Sequence, residues 1–259
     1  MQETSALYRR LLADDNHWFE TRLVIGESGN LITERGETIL FGGISIVVAR
    51  SGPDSGFTDS QIFTLKTSTK MFSGDPEVGK AIASEIDVVM IKPSGDMPRM
   101  SAVIPYTRVC TETEQSEWIQ QGVFFIDTRE YTNNDDGLEV LTLHGYDAML
   151  KAEQPYNTTS LNWPARDTDI VSDIARIMGV TVDSRTWAVM TDRYTYSLPS
   201  SYSLREMLCY IAASYVGDFI ITDTGQLRLV TLLELPVETN LLIDSVGDYI
   251  TFGGVRILV

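Results

Sequence analysis

The chain has 259 residues, enough for one large or two ordinary domains with a substantial core. Apolar residues make up 43% and charged residues 22%, a globular composition, and a net charge of −16 argues against gripping nucleic acid or anionic membranes. The amino-terminal "MQETSALYRRLLADDNHW" lacks the pattern of a signal peptide, and no apolar run approaches the ~18 residues a membrane-spanning helix needs.

In chain order, Leu7, Leu11 and Leu12 fall at helical spacing and predict a short helix ending near Asn16. "HWFETRLVIG" alternates Phe19, Thr21, Leu23 and Ile25 against Trp18, Glu20, Arg22 and Val24, the register of a strand. Gly26, Gly29 and Asn30 supply turn chemistry. "ETILFGGISIVVA", "QIFTLKTST" and "SEIDVVMIKP" read as further strands, with Gly42 and Gly43 marking a bulge or sharp bend. "RSGPDSGFTDS" reads as a polar loop. Pro93, Pro98 and Pro105 punctuate the next section, so "RMSAVIPYTRVC" is expected as an edge or interrupted strand.

A hairpin follows, with "EWIQQGVFFIDTREY" and "LEVLTLHGYDAML" flanking the turn "TNNDDG". Six or more closely spaced strands after one helix indicate a barrel or sandwich over residues 1–152. Past Lys151 the composition changes, and "AEQPYNTTSLNWPARD" reads as a linker or domain edge. Ile170, Ile174, Ile177 and Met178 share a helical face that Gly179 terminates, and "VTVD" fits a short strand. Ser203 and Glu206 form a capping box, Leu204, Met207, Leu208, Ile211 and Tyr215 share the next helical face, and Gly217 is expected as its stop. "FIITDTGQLRLVTL" is a hairpin turning at Asp223, Thr224 and Gly225. The fold class is therefore α+β, mainly β: a tube-like β-barrel over 1–152, a smaller α+β unit over 153–234, and terminal strands over 235–259. The last of these, "VRILV", is either paired inside the fold or continued in a longer protein.

Residues with chemistry are few. Cys110 and Cys209 lie in apolar-patterned segments and read as reduced thiols, with a disulfide the alternative. Two cysteines with His17 and His144 do not make a zinc site. "TLHGYDAM" holds His144, Tyr146 and Asp147 within four residues. In a strand, however, Asp147 faces away from the other two, so a catalytic group requires an abrupt turn at Gly145, and a structural histidine is the simpler reading. No nucleophile elbow, S-x-x-K, dinucleotide loop, P-loop or EF-hand pattern is present. Asp14–Asp15 and Asp135–Asp136 sit in turn sequences and read as solvated rather than as a glycosidase pair. Trp18, Trp118, Trp163 and Trp187 are dispersed and read as core or interface anchors. No catalytic, cofactor-binding or metal-ligating residue is assigned, no cofactor is expected, and the chain reads as not an enzyme.

"SEIDVVMIKPSGDMPRMSAVIPY", "EWIQQGVFFIDTREYTNNDDGLEVLTLHGYDAMLKAE" and "SLREMLCYIAASYVGDFIITDTGQLRLV", which cover most of residues 84–232, resemble the tail hub (baseplate hub, amino-terminal tail-tip) proteins of bacteriophages and prophages. The resemblance implies a structural protein of the virion tail: a homotrimeric ring at the end of the tail tube. Each subunit of such a hub contributes two tube-like barrels, giving three-fold rings a six-fold pseudo-symmetry. The second barrel is incomplete or small here, which departs from the family. Implied partners are other copies of the chain, tail tube and distal tail proteins, the tape-measure protein, and DNA passing without specific binding, with no membrane. An acidic bore suits that passage, because phosphates find no place to adhere. The rival readings are the front part of a tail-associated cell-wall hydrolase and a carbohydrate-binding β module.

Overall fold

The computed structural model describes residues 4–26, 40–41, 44–45, 56–69, 77–93, 97–133, 137–157, 161–190, 194–197, 201–231, 251–252 and 255–256. Helix α1 spans Ala6–Leu12, and the Ser5 hydroxyl caps it by accepting the Tyr8 N–H. It stops short of Asn16 because the Ala13 N–H turns back to the Arg10 carbonyl and the Asp14 N–H to the Leu11 carbonyl. The Asp14 carboxylate then accepts the Asn16 N–H, closing a turn. Ser5 donates twice to Glu117, at 2.8 and 2.7 Å, and Arg10 spans both oxygens of Glu114, so α1 is clasped to the segment 114–117.

Strand β1 (Trp18–Gly26) is followed by β2 (Leu40–Phe41) and β3 (Ile44–Ser45), which pair with each other. Gly29, Asn30, Gly42 and Gly43 lie outside the described residues. Then come β4 (Phe57–Thr58), β5 (Ile62–Thr69), β6 (Ser84–Ile91), β7 (Ala102–Cys110), β8 (Ile119–Gln120), β9 (Phe124–Asn133) and β10 (Glu139–Asp147). They form one antiparallel sheet in the order β4-β1-β7-β9-β10-β6-β5, with β8 added to β7. Alternation decides what it encloses: β6 buries Ile86, Val88 and Met90 completely and turns Glu85 and Asp87 outward. Leu23, Val103, Phe124, Ile126, Leu141 and Leu143 bring the inward faces of four more strands to the same cluster, and Phe57, Ile62 and Leu65 reach it from β4 and β5.

The two ends of this order are consecutive in the chain. β4 pairs with β1 and β5 with β6, yet only residues 59–61 separate them. The sheet therefore rolls round one core until its ends meet. Of the expected barrel the described residues show a rolled antiparallel sheet with an open seam and no closed ring, since no ladder joins β5 to β4 or β1.

Of the two readings expected for the strand at Pro105, edge or interrupted, the interrupted one is found. β7 is not an edge strand, since it pairs with β1 over its whole length. The Pro105 carbonyl accepts the Gln121 N–H, so the absent proline N–H points to that same flank. There β7 meets β9 only at Ala102 and Val103 and then β8 at Tyr106 and Thr107. The interruption falls where no ladder donor is needed.

After a 3-10 helix over Ala148–Glu153, a second cluster forms from β11 (Ala165–Arg166), α2 (Asp167–Met178), α3 (Ser184–Val189), β12 (Thr195–Tyr196), α4 (Leu204–Ser214), β13 (Gly217–Ile221) and β14 (Leu227–Thr231). A further pair, β15 (Thr251–Phe252) and β16 (Val255–Arg256), stands near the end of the chain, and the remainder of the predicted terminal strands lies outside the described residues. Helix α2 buries Ile170, Ile174 and Met178 and ends at Gly179 with φ +71°, as its sequence requires. Helix α4 begins with the predicted capping box and buries Leu204, Met207, Leu208 and Ile211. The predicted β13–β14 hairpin turns through Gly225 at φ +81°.

Gly217 does not act as the expected helix stop. Val216 takes the left-handed turn, with φ +52°, and Gly217 is already the first residue of β13. A Cβ at Gly217 would lie 2.4 Å from the Val230 carbonyl oxygen, so the glycine is there for backbone approach. Residues outside this stretch complete the small sheet: Ile82 donates to Phe219 and Phe219 to Lys80, while Asp183 donates to Leu227 and Leu227 to Thr181.

Gly217→Ala is expected to cost about 2–4 kcal/mol through overpacking against backbone. Gly26→Ala, which meets nothing within 4 Å, is expected to shift stability by less than about 0.5 kcal/mol. Urea midpoints of the two variants check the ranking.

Candidate functional site

Strand register places His144 opposite Asp87 and Tyr146 opposite Glu85, all on the outer face of the sheet. The His144 Nδ1 lies 2.7 Å from the Asp87 carboxylate, and its ring meets that of Tyr146 edge-on at 4.8 Å. The β9–β10 register shifts between His144 and Gly145, and a Cβ at Gly145 would stand 2.5 Å from the Phe125 carbonyl oxygen. The bulge thus demands glycine without making the sharp turn that catalysis requires. The strand runs on extended to Asp147, whose carboxylate is buried on the other side. His144, Tyr146 and Asp147 are not brought together as a reacting group.

Asp147 instead joins three elements. Its carboxylate accepts the Ser84 N–H at 2.7 Å, at the start of β6, and the Met149 N–H at 2.9 Å, in the 3-10 helix that follows β10. Burial pushes its acid up to about 6, against the opposing effect of those two donors. The group borders a polar cavity of about 130 Å³, lined also by Ser68, Ser84, Thr222 and Asp223. That volume holds roughly four waters at about 30 Å³ each.

The other singled-out residues are scattered. His17 Nδ1 contacts the Asp14 carbonyl at 2.5 Å and its ring abuts Phe19 edge-on, a local turn contact. Cys110 is buried and Cys209 half-buried, both are free thiols, and burial raises the pKa of each. The tryptophans do not converge. Trp118 lies under the guanidiniums of Arg108, at 4.3 Å, and Arg22, at 5.7 Å, with Arg108 also paired to Glu20 at 2.6 Å. Trp163 abuts Tyr156 inside the second core, whereas Trp18 and Trp187 are exposed. Asp14 and Asp15 are exposed, and Asp135 and Asp136 lie outside the described residues. Among the described residues no three His, Cys, Asp or Glu side chains form a metal-holding group, and no helix is long and apolar enough to cross a membrane.

Sequence reasoning passed over the buried carboxylates of the second cluster. Asp167 takes the Thr168 and Tyr194 N–H groups and the Tyr215 hydroxyl. Asp173 takes the Tyr156 hydroxyl at 3.0 Å and Arg176 at 2.6 Å. Asp183 caps α3 through the Arg185 N–H, and the Arg185 side chain holds its acid down at about 2. Asp167 and Asp183 stand at helix starts, which was the available signal for those two, whereas Asp173 lies in the middle of α2.

Asp147 has a pH signature of its own. Its acid is about 6 when folded and 3.8 otherwise, so the folded chain binds the proton more tightly. Stability linked to this group is intact below pH ~4 and falls by about 3 kcal/mol as pH rises towards and past 6. The stability difference between the native chain and Asp147→Asn, measured by urea unfolding from pH 4 to 7, is expected to follow that curve. A difference independent of pH would contradict it.

No family model and no curated protein matches the sequence. Among solved structures the chain is similar to the 43 kDa tail protein of prophage MuSo2 from Shewanella oneidensis, at 11% identity over 86% of this chain and 59% of that one, TM-score 0.48. It is also similar to a tail protein from Neisseria meningitidis MC58, at 12% identity over 85% and 53%, TM-score 0.46. A third is a chain of the Francisella PdpA–VgrG complex, at 7% identity over 83% and 31%, TM-score 0.46. The chain thus spans little more than half the length of the first two and under a third of the last. The first is a prophage tail protein and the second a tail protein.

Proposed function

We propose that this chain is a non-enzymatic structural subunit of a phage-type tail, assembling as a homotrimeric ring between the tail tube and the tail tip in the virion. The observation that carries the reading is the open seam of the rolled sheet. Strand β5 pairs with β6 on one side, and among the described residues no strand covers its other side. Eight residues of main chain, with Phe63 exposed among them, form an edge that another chain can cover. A ring subunit has that need, since each copy must be joined on two flanks. The segments within residues 84–232 that resemble tail hubs support the same reading.

In this reading residues 1–152 form the tube-like part, and 153–234 steady it from outside. The ring contacts tail tube and distal tail proteins, and part of the −16 charge faces the bore, where the tape-measure protein and then DNA pass without adhering. A trimer whose channel wall is neutral or basic would overturn that assignment of the charge.

Native mass measurement is expected to find a species of about 87 kDa, three times the chain's 28.9 kDa. A chain that stays monomeric at every concentration would sink the ring. Release of soluble fragments from cell walls, abolished by changing one carboxylate, would establish the hydrolase instead.

A further inference from the structure

The polar cavity beside Asp147 lies where the rolled sheet meets the second cluster. Thr67 and Ser68 reach it from β5, Ser84 from the start of β6 and Asp147 from the end of β10. Thr222 and Asp223 reach it from the turn between β13 and β14. That turn is fastened to the sheet, because the Gln120 side chain donates to the Asp223 carbonyl at 2.5 Å. Oxygen-bearing side chains from both parts of the chain therefore border one small space.

Asp147 is its buried member, 2% exposed and ionised at neutral pH. One of its oxygens takes the Ser84 N–H at 2.7 Å and the other the Met149 N–H at 2.9 Å. Each oxygen keeps capacity for a further partner. Among the described residues no Lys, Arg or His side chain pairs with this carboxylate. Arg205, whose field reaches it, is engaged by the Ala81 carbonyl and Glu153. Of the other buried aspartates, Asp173 and Asp183 pair with arginines, and Asp147 is the one that borders the cavity. A buried charge met by two backbone dipoles alone remains costly.

We infer that the cavity binds one calcium-class divalent cation, ligated by Asp147 and Asp223 together with hydroxyl and water oxygens. The ion ties the β13–β14 hairpin to the rolled sheet. Two carboxylates balance its charge, and a loose shell of about six to eight mixed oxygens suits calcium better than the strict octahedron of magnesium. The volume of about 130 Å³ accommodates the ion with about three waters. With two carboxylates rather than three or four the site is weak, with a Kd of roughly 10⁻⁴–10⁻³ M. The inference concerns a single subunit and is independent of the ring.

Calorimetric titration of calcium chloride into the chelator-stripped full chain tests it, at neutral pH with potassium chloride holding the ionic strength. One saturable site per chain is expected. Asp147→Asn and Asp223→Asn are each expected to weaken binding by at least about tenfold. Asparagine keeps the turn chemistry at 223, so the second variant decides if the first does not fold. Calcium is also expected to slow amide exchange at Ser84 and along β13–β14 in the native chain and not in the variants. Uptake that never saturates, or that persists unchanged in folded Asp223→Asn, is general attraction to an acidic chain and overturns the inference. Absence of binding at millimolar calcium overturns it as well, leaving a cavity that holds water. Magnesium binding of equal strength overturns the assignment of the ion.

Discussion

A single β-sheet has two faces, and one face of this one is apolar along nearly every strand. Among the described residues of the inner cluster the covering is supplied by the strands themselves, with Met97 the one contributor from a loop. The sheet must therefore bend round until Leu23, Ile86, Met90, Ile126 and Leu141 face one another. The irregularities are explained by that bending: register shifts between His144 and Gly145 and between Ile62 and Thr64, and a bare Cα at Gly145 where the Phe125 backbone comes close.

The rolled sheet then becomes a platform. β9 buries Phe124, Phe125 and Ile126 in succession, and they do not share a core. Phe124 and Ile126 point inward, while Phe125 belongs to the helical cluster and carries the Lys151 ammonium 3.9 Å above its ring. Asp147 stands at the same boundary, tying the starts of β6 and the 3-10 helix to the end of β10. A carboxylate in that place is costly to bury, and its two backbone donors offset part of the cost. The boundary between the cores is fixed by directional bonds as well as by packing.

Much of this was readable where periodicity and punctuation agree. Ser203 with Glu206, Gly179 after Met178, and the 223–225 turn each combine an apolar face with a residue whose backbone preference marks an end. Reading failed where a residue has two uses. Proline at 105 left an edge and an interrupted strand equally open, and β7 proves interrupted on one flank and continuous on the other. Glycine at 217 looked like a helix stop, but it serves a close approach to Val230. Helix α3, six residues long, has too few turns to show a period, and only Asp183 announces it. Among the buried aspartates Asp173 left no pattern, since it sits mid-helix and its Tyr156 partner is brought near only by the fold.

The strand-like pairing of residues 80–82 with β13 has a consequence for how the chain is made. Lys80 and Asp218 are joined although 138 residues separate them, and Ala81 contributes to the helical core. As the chain leaves the ribosome, Ala81 and Ile82 emerge long before the segment that covers them. Closure of so wide a loop is slow, so the last steps of maturation belong to this seam. Until β13 arrives, the Ile82 N–H and the Lys80 carbonyl lack the main-chain partner that Phe219 gives them.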